Sequence, residues 1–181
     1  SAHLRRLAGD IGPRPLGSPT EKAALEYFAA QLNGFGAQVE WQRVSGRPAA
    51  SGRDALNTAS FNVIGRFPGS GRREIVIGAH IDSASPEIPG ADDDASGVAA
   101  ILEAARVVSA SPHLATLVFV AFCGEEAGLV GSKAFVECYP LENVELMLQL
   151  DMTSDHAPLM LWIDGAGRQS PAWLVKASLD L

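Results

Sequence analysis

Short apolar segments that alternate with helical segments most restrict the fold of this 181-residue chain. Strands are predicted at residues 74–79, 116–122 and 144–150, with helices at about 97–109 and 130–139. Buried strands joined by helices are typical of a parallel sheet with helices on both faces. The sequence therefore predicts an α/β fold, a three-layer α/β/α sandwich with a mixed, centrally parallel sheet.

The start of one further helix is marked by its capping residues. Ser18 is the predicted N-cap, Pro19 the first helical residue and Glu21 the returning partner of a capping box, while Gly34 ends the helix. Further strands are predicted at residues 37–44, 60–67 and 159–163, a loop at 45–54 and a last helix at 170–179.

Composition narrows the class of protein. The length fits a single domain spanning residues 1–181. A net charge of −7 gives no basic surface for nucleic acid, and the apolar runs are too short to cross a membrane. No signal peptide is visible in the first ten residues, and Cys123 and Cys138 do not form a disulfide framework.

Polar residues cluster where the predicted central strands end. They are His80 and Asp82 after the first strand, Glu125 and Glu126 after the second, Asp151 after the third, and Asp92, Asp93 and Asp94 in the loop that follows the first. Ligands bind at this edge of open α/β sheets. Each pair of carboxylates at roughly 4 Å would cost about 4 kcal/mol in repulsion. A divalent cation offsets that cost, and a mixed histidine and carboxylate set suits zinc.

Each group also has an ordinary structural interpretation. His80 could be a core histidine, Asp92, Asp93 and Asp94 a solvated loop before a helix capped by Ser96, Glu125 and Glu126 surface charge in a turn, and Asp151 a turn former. All of these interpretations would have to be correct at the same time to exclude a metal site.

At these residues the chain resembles the zinc aminopeptidases of the M28 family. Four strings occur in the family's order: Gly-Ala-His-Ile-Asp-Ser at 78–83, Pro-Gly-Ala-Asp-Asp-Asp-Ala-Ser-Gly at 89–97, Glu-Glu-Ala-Gly-Leu at 125–129 and Leu-Asp-Met-Thr at 150–153. Nearly the same second and fourth strings occur in the family's bacterial leucyl-type aminopeptidases. The resemblance covers the chain from about Ser18 to its end and implies the phosphorylase/hydrolase-like zinc exopeptidase fold.

The resemblance also implies a role for each site residue, around two Zn²⁺ ions per complete domain. Asp93 matches the carboxylate that bridges both ions, His80 and Asp151 the other ligands of one, Glu126 a ligand of the second, Glu125 the general base and Asp82 the carboxylate that orients the His80 ring. The implied substrate is a peptide with a free N-terminus. Because the family is commonly exported, an extracellular or periplasmic location is expected.

The chain departs from the family pattern at its end. The family supplies one more histidine ligand well after the Asp151 position, and this sequence stops at Leu181 before that region. We therefore expect a C-terminally incomplete domain, with an exposed edge that favours self-association. His156 lies only five residues after Asp151 and is interpreted as an exposed loop residue, not the missing ligand.

Two other functions stay open at this point. One is a glutaminyl cyclase-like acyltransferase with a single zinc, and the other is an inactive, truncated domain. The intact string at 89–97 and the setting of His80 favour two metal ions and hydrolysis.

Overall fold

A computed structural model describes residues 1–45 and 59–153 of the chain. Most of the predicted loop at 45–54, the predicted strand at 159–163, the predicted helix at 170–179 and His156 lie outside the described residues.

The described residues form a five-stranded mixed sheet with the order β1-β2-β4-β3-β5. Its strands are β1 Gln38–Ser45, β2 Ala59–Phe67, β3 Glu74–His80, β4 Thr116–Phe122 and β5 Val144–Gln149. Strand β3 lies between β4 and β5 and is parallel to both, whereas β2 is antiparallel to β1 and β4. The predicted sheet with a parallel centre is therefore confirmed.

Helices cover both faces of this sheet. They are α1 Ala2–Leu4, which continues as a π-helical segment at Arg5–Ile11, then α2 Pro19–Gly34, α3 Ala95–Val108 and α4 Val130–Cys138. Alternate residues of β4 point to opposite faces, as in any strand. Phe119 packs in one core cluster with residues of α2 and α3, and Val120 packs in the other with Phe135 of α4. The three-layer sandwich is confirmed.

Helix α2 begins where its capping residues predict. The Ser18 side chain accepts a hydrogen bond from the Glu21 N–H at 3.0 Å, and Pro19 is the first helical residue. The returning bond differs from a standard capping box, because the Glu21 carboxylate accepts from the Gly17 N–H at 2.6 Å. The Ser18 N–H is already engaged with the Pro15 carbonyl at 3.0 Å. Glu21 is therefore the returning residue, as predicted, but it binds the N–H of the residue before the N-cap.

The helical structure at the amino terminus was not predicted from the sequence. Its Leu7 side chain is fully buried in the same core cluster as α2 and α3. Within residues 1–45 and 59–153, no helix combines the length and the apolar character needed to cross a membrane.

Candidate metal centre

The parallel centre of the sheet brings three chain segments to one edge. His80 is the last residue of β3, Glu125 and Glu126 follow the end of β4, and Asp151 follows the end of β5. Since these strands run in the same direction in register, their carboxyl ends lie side by side. The loop that leaves His80 returns at Asp93 to begin α3, which adds a fourth segment to this edge.

His80, Asp93 and Asp151 form a compact group of possible metal ligands. One donor atom from each of the three residues lies within 4.8 Å of the others. His80 Nε2 lies 2.8 Å from Asp93 Oδ1 and 3.9 Å from Asp151 Oδ1. The imidazole is buried, whereas the two carboxylates are about half exposed. The group therefore has a fixed nitrogen donor and two oxygen donors that face solvent.

This donor set fits zinc. Catalytic zinc sites in proteins use three protein ligands, among which histidine and carboxylate are common, and leave a position open to solvent or substrate. Burial alone would lower the pKa of His80, but the facing carboxylate of Asp82 and the charges of Asp94 and Asp151 raise it to about 10. The surrounding acids thus favour a positive charge at this position, whether a proton or a metal ion provides it.

Asp82 lies beneath this group and is fully buried. Its Oδ1 accepts a hydrogen bond from the Glu125 N–H at 3.0 Å, and its Oδ2 accepts from the Glu126 N–H at 3.2 Å. The distance from Asp82 Oδ1 to His80 Nδ1 is 3.5 Å, longer than a good hydrogen bond. His80 Nδ1 is buried and has no closer partner among the described residues. Asp82 therefore faces the ring, but its hydrogen bonds hold the backbone after β4.

Asp94 connects three of the segments and was not recognised from the sequence. Its Oδ2 accepts from the His80 N–H at 3.2 Å, while its Oδ1 accepts from the Met152 N–H at 3.3 Å and the Gly97 N–H at 2.9 Å. The last of these bonds makes Asp94 the N-cap of α3. Burial raises its pKa to about 8, with Asp151 adding to the rise and His80 opposing it. The solvated-loop interpretation is wrong for Asp94.

Ser96 does not cap α3 but connects the start of the helix to the end of β5. Its hydroxyl donates to the Asp92 carbonyl at 2.7 Å and accepts from the Thr153 N–H at 2.9 Å. Together with the Asp94 bond to Met152, this contact fixes the backbone on the carboxyl side of Asp151. Two side chains at the start of α3, those of Asp94 and Ser96, thus set the position of a residue that follows β5.

Glu125 and Glu126 have different surroundings. Glu125 is half-buried and lines a cavity of about 210 Å³ with His80 and Asp151. Glu126 is exposed and lies outside the three-residue donor group. Burial raises the pKa of both carboxyls, and the charge of Asp93 adds to the rise for each of them.

Cys123 lies close to the site but has no accessible thiol. It is fully buried, and burial, with the nearby charge of Glu21, raises the pKa of its thiol to about 12. Its backbone N–H donates to Asn62 Oδ1 at 3.1 Å. Cys123 therefore acts as a buried strand-end residue.

Comparisons with known proteins agree with these features. A family model described as "Peptidase family M28" matches residues 62–179. The chain is 45% identical over 107 residues to leucine aminopeptidase 1 of Ajellomyces capsulatus (strain H88), which covers 51% of this chain and 28% of that protein. It is 42% identical over 117 residues to a Mycobacterium tuberculosis protein named "Probable lipoprotein aminopeptidase LpqL", covering 60% of this chain and 23% of that protein. The chain thus spans about a quarter of the length of these relatives.

Solved structures give the same fold. A zinc aminopeptidase from Bacillus subtilis superimposes with a TM-score of 0.76 at 19% identity, covering 83% of this chain and 68% of that one. A Bacteroides thetaiotaomicron glutaminyl cyclase superimposes with a TM-score of 0.72 at 25% identity, covering 83% of this chain and 60% of that one. The fold alone therefore accommodates both a peptidase and a cyclase. The match over residues 62–179 decides the family, and the chain belongs to peptidase family M28.

Proposed function

We propose that this chain carries the catalytic site of a zinc-dependent aminopeptidase, which hydrolyses the N-terminal bond of peptides with a free amino terminus. The observation that carries the proposal is the donor group of His80, Asp93 and Asp151 within 4.8 Å. Its support is the family match, which spans all three residues. We also propose that residues 1–181 belong to a single catalytic domain.

The proposed site is co-catalytic and holds two zinc ions in the complete domain. Asp93 would bridge both ions, His80 and Asp151 would complete the ligands of one, and Glu126 would bind the other. When bound, zinc would supply a Lewis acid that acidifies water and polarises the scissile carbonyl group. The exposure of Asp93, Asp151 and Glu126 supports access of a peptide from solvent to this edge of the sheet.

Glu125 would act as the general base. It lines the cavity beside His80 and Asp151, and its backbone is fixed by the 3.0 Å hydrogen bond to Asp82. Burial raises its pKa, which brings the carboxyl closer to neutral pH and makes it a better proton acceptor. Its side chain would take a proton from the attacking water and deliver it to the departing amine.

Hydrolysis of a chromogenic leucine anilide tests the proposal. Wild-type protein should release the amine only when zinc is present. Glu125→Gln should keep its zinc content and lose about 10²- to 10⁴-fold in kcat, the usual contribution of a general base. Glu137→Gln, which changes an exposed glutamate on α4, is the matched control. Unchanged turnover in Glu125→Gln would remove this residue from the base role.

A glutaminyl cyclase is the second candidate, because a cyclase shares the fold at 25% identity. The assay that separates the two is cyclisation of a peptide with N-terminal glutamine, run beside the leucine anilide. Cyclisation without anilide hydrolysis would replace the first candidate by the second. Zinc binding without either reaction would leave a metal-binding domain that is catalytically inactive.

We also propose that the natural protein acts outside the cytoplasm. The support is the name of the Mycobacterium tuberculosis relative, "Probable lipoprotein aminopeptidase LpqL". Fractionation of the source cells with an antibody to this chain tests the location. Recovery in the cytoplasmic fraction alone would contradict it.

A further inference from the structure

Arg14 is a charged side chain buried completely inside the protein, with 0% of its surface exposed. Its guanidinium donates to five backbone carbonyls, those of Leu7 (3.1 Å), Gly12 (2.8 Å), Ile81 (2.9 Å), Pro89 (2.7 Å) and Gly90 (3.0 Å). A buried charge is costly unless its hydrogen-bonding groups are satisfied, and here every acceptor is a main-chain oxygen. Arg14 thus holds separate backbone segments together, and within the described ranges it forms no hydrogen-bonded ion pair.

Three of these carbonyls belong to the loop between His80 and Asp93. Ile81 lies directly after His80, whereas Pro89 and Gly90 lie near the end of the loop, shortly before Asp93. One planar side chain therefore connects the two ends of the segment that separates a histidine donor from a carboxylate donor. The rigid geometry of the guanidinium fixes the distance between those ends.

The backbone of Arg14 adds two further connections to the same loop. Its N–H donates to the Ser83 hydroxyl at 2.9 Å, and its carbonyl accepts from the Ser83 N–H at 3.1 Å. At the other end of the loop, Gly90 has a φ of +55°, and an added Cβ would lie 3.1 Å from Arg14 Nη2. The loop and the guanidinium are therefore in close contact at both ends.

The positive charge of Arg14 also suits the two buried carboxylates of the site. Burial disfavours the charged guanidinium, while the nearby Asp82 and Asp94 favour it. These are the carboxylates that hold the backbone of Glu125, Glu126, His80 and Met152. Arg14 thus offsets negative charge beneath the donor group without occupying a ligand position.

We propose that Arg14 is a positioning residue of the metal centre, which sets zinc affinity by holding Asp93 opposite His80. The proposal rests on the metal site of the proposed function. The proposed role of Arg14 involves no contact with substrate. Zinc affinity therefore tests this role directly, without a measurement of activity.

Zinc affinity of the full chain, measured by competition with a chromogenic chelator, is the test. Arg14→Met should weaken binding about 10- to 100-fold, as expected when a residue that orients ligands is lost. Arg14→Lys should recover part of this loss, because it keeps the charge but cannot bridge both ends of the loop. Arg66→Met is the control, since Arg66 pairs with Glu74 at the amino end of β3, away from the donor group, and its loss should also lower stability.

A milder pair of variants covers the case in which Arg14→Met does not fold. Ser83→Ala removes one hydrogen bond to Arg14 and should weaken zinc binding about fivefold, the equivalent of one such bond. Ser109→Ala, which removes an exposed hydroxyl contact at the end of α3, should leave zinc affinity unchanged. Circular dichroism of each variant verifies that it is folded.

Three results would overturn the proposal. They are Arg14→Met binding zinc within twofold of wild type, Arg66→Met losing as much affinity as Arg14→Met, and wild-type protein that binds no zinc. Failure of the aminopeptidase proposal looks different: wild-type protein binds zinc, the Arg14 variants lose affinity as expected, and leucine anilide is not cleaved. That last outcome supports the role of Arg14.

Discussion

Asp82 accepts a hydrogen bond at 3.0 Å from the backbone N–H of Glu125, 43 residues later in the chain. This bond connects the segment after β3 to the segment after β4. The backbone of the proposed base is therefore held by the segment that follows the neighbouring strand. The second oxygen of Asp82 holds Glu126 in the same way at 3.2 Å. One buried carboxylate thus positions two adjacent glutamates for which we propose different roles.

Asp82→Asn should therefore impair catalysis without removing a metal ligand. The amide group would place an N–H donor against the N–H of Glu125 or Glu126, so one buried hydrogen bond is lost. We expect kcat for leucine anilide to fall about 10- to 100-fold and stability to fall by about 1–3 kcal/mol. Kinetics and urea unfolding measure the two effects. Asp10→Asn, at an exposed aspartate, is the control, and wild-type turnover in Asp82→Asn would contradict the role.

Asp94→Asn should weaken zinc binding through the backbone. The asparagine oxygen can still cap α3 at Gly97, but its amide group cannot accept from the His80 N–H. Because His80 and Asp151 are both anchored beside Asp94, we expect zinc affinity to fall about 10- to 100-fold. Ser18→Ala provides the comparison, since it removes the side-chain cap of α2 and should lower the free energy of unfolding by about 1 kcal/mol. Equal zinc affinity in the two variants would contradict the prediction.

Local signals were sufficient to predict most of the fold. Strand β4 begins and ends at the predicted residues Thr116 and Phe122 because a run of apolar residues is bounded by turn formers. Helix α2 begins at Pro19 because its capping residues lie within three positions of one another. Such signals depend on neighbours in the sequence, which is why they can be recognised without coordinates.

The supporting residues of the site could not be found in this way. Arg14 is separated from its acceptors Pro89 and Gly90 by 75 and 76 residues, and nothing in its Gly-Pro-Arg-Pro setting indicates burial. Asp94 is indistinguishable from Asp92 and Asp93 in the sequence, although its side chain is fully buried and Asp93 is half exposed. The ligand assignments came from strand ends and family resemblance, whereas the residues that hold them depend on tertiary contacts.

Glu21 should make stability depend on pH. It is 1% exposed, and burial raises its pKa from 4.5 to about 7, although hydrogen bonds from Gly17 and Ser60 oppose the rise. Between these pH values the folded chain holds a proton that the unfolded chain has released. This contribution to stability is therefore complete below about pH 4.5, falls as pH rises, and is lost above about pH 7.

Glu21→Gln isolates this effect. Relative to wild type, its free energy of unfolding should rise by about 3 kcal/mol between pH 4.5 and pH 8, the equivalent of the pKa shift. Urea unfolding at a series of pH values measures the difference. Glu26→Gln, an exposed position on the same helix, should follow the wild-type profile. Parallel profiles for Glu21→Gln and wild type would show that this carboxyl does not titrate with a raised pKa.

Zinc should stabilise the folded chain, and Asp93 should be necessary for that effect. The three donors of the site come from the ends of β3 and β5 and the start of α3, so they converge only in the folded state. A ligand that binds only the folded state at 100 times its Kd adds about 2.7 kcal/mol to the free energy of unfolding. Thermal unfolding with and without zinc should reveal this gain in wild type and in Asp10→Asn, but not in Asp93→Asn. Since Asp93 is half exposed and lies 2.8 Å from His80 Nε2, its replacement removes a donor without opening the core. An equal zinc-dependent gain in Asp93→Asn would place the ion elsewhere and contradict the proposed centre.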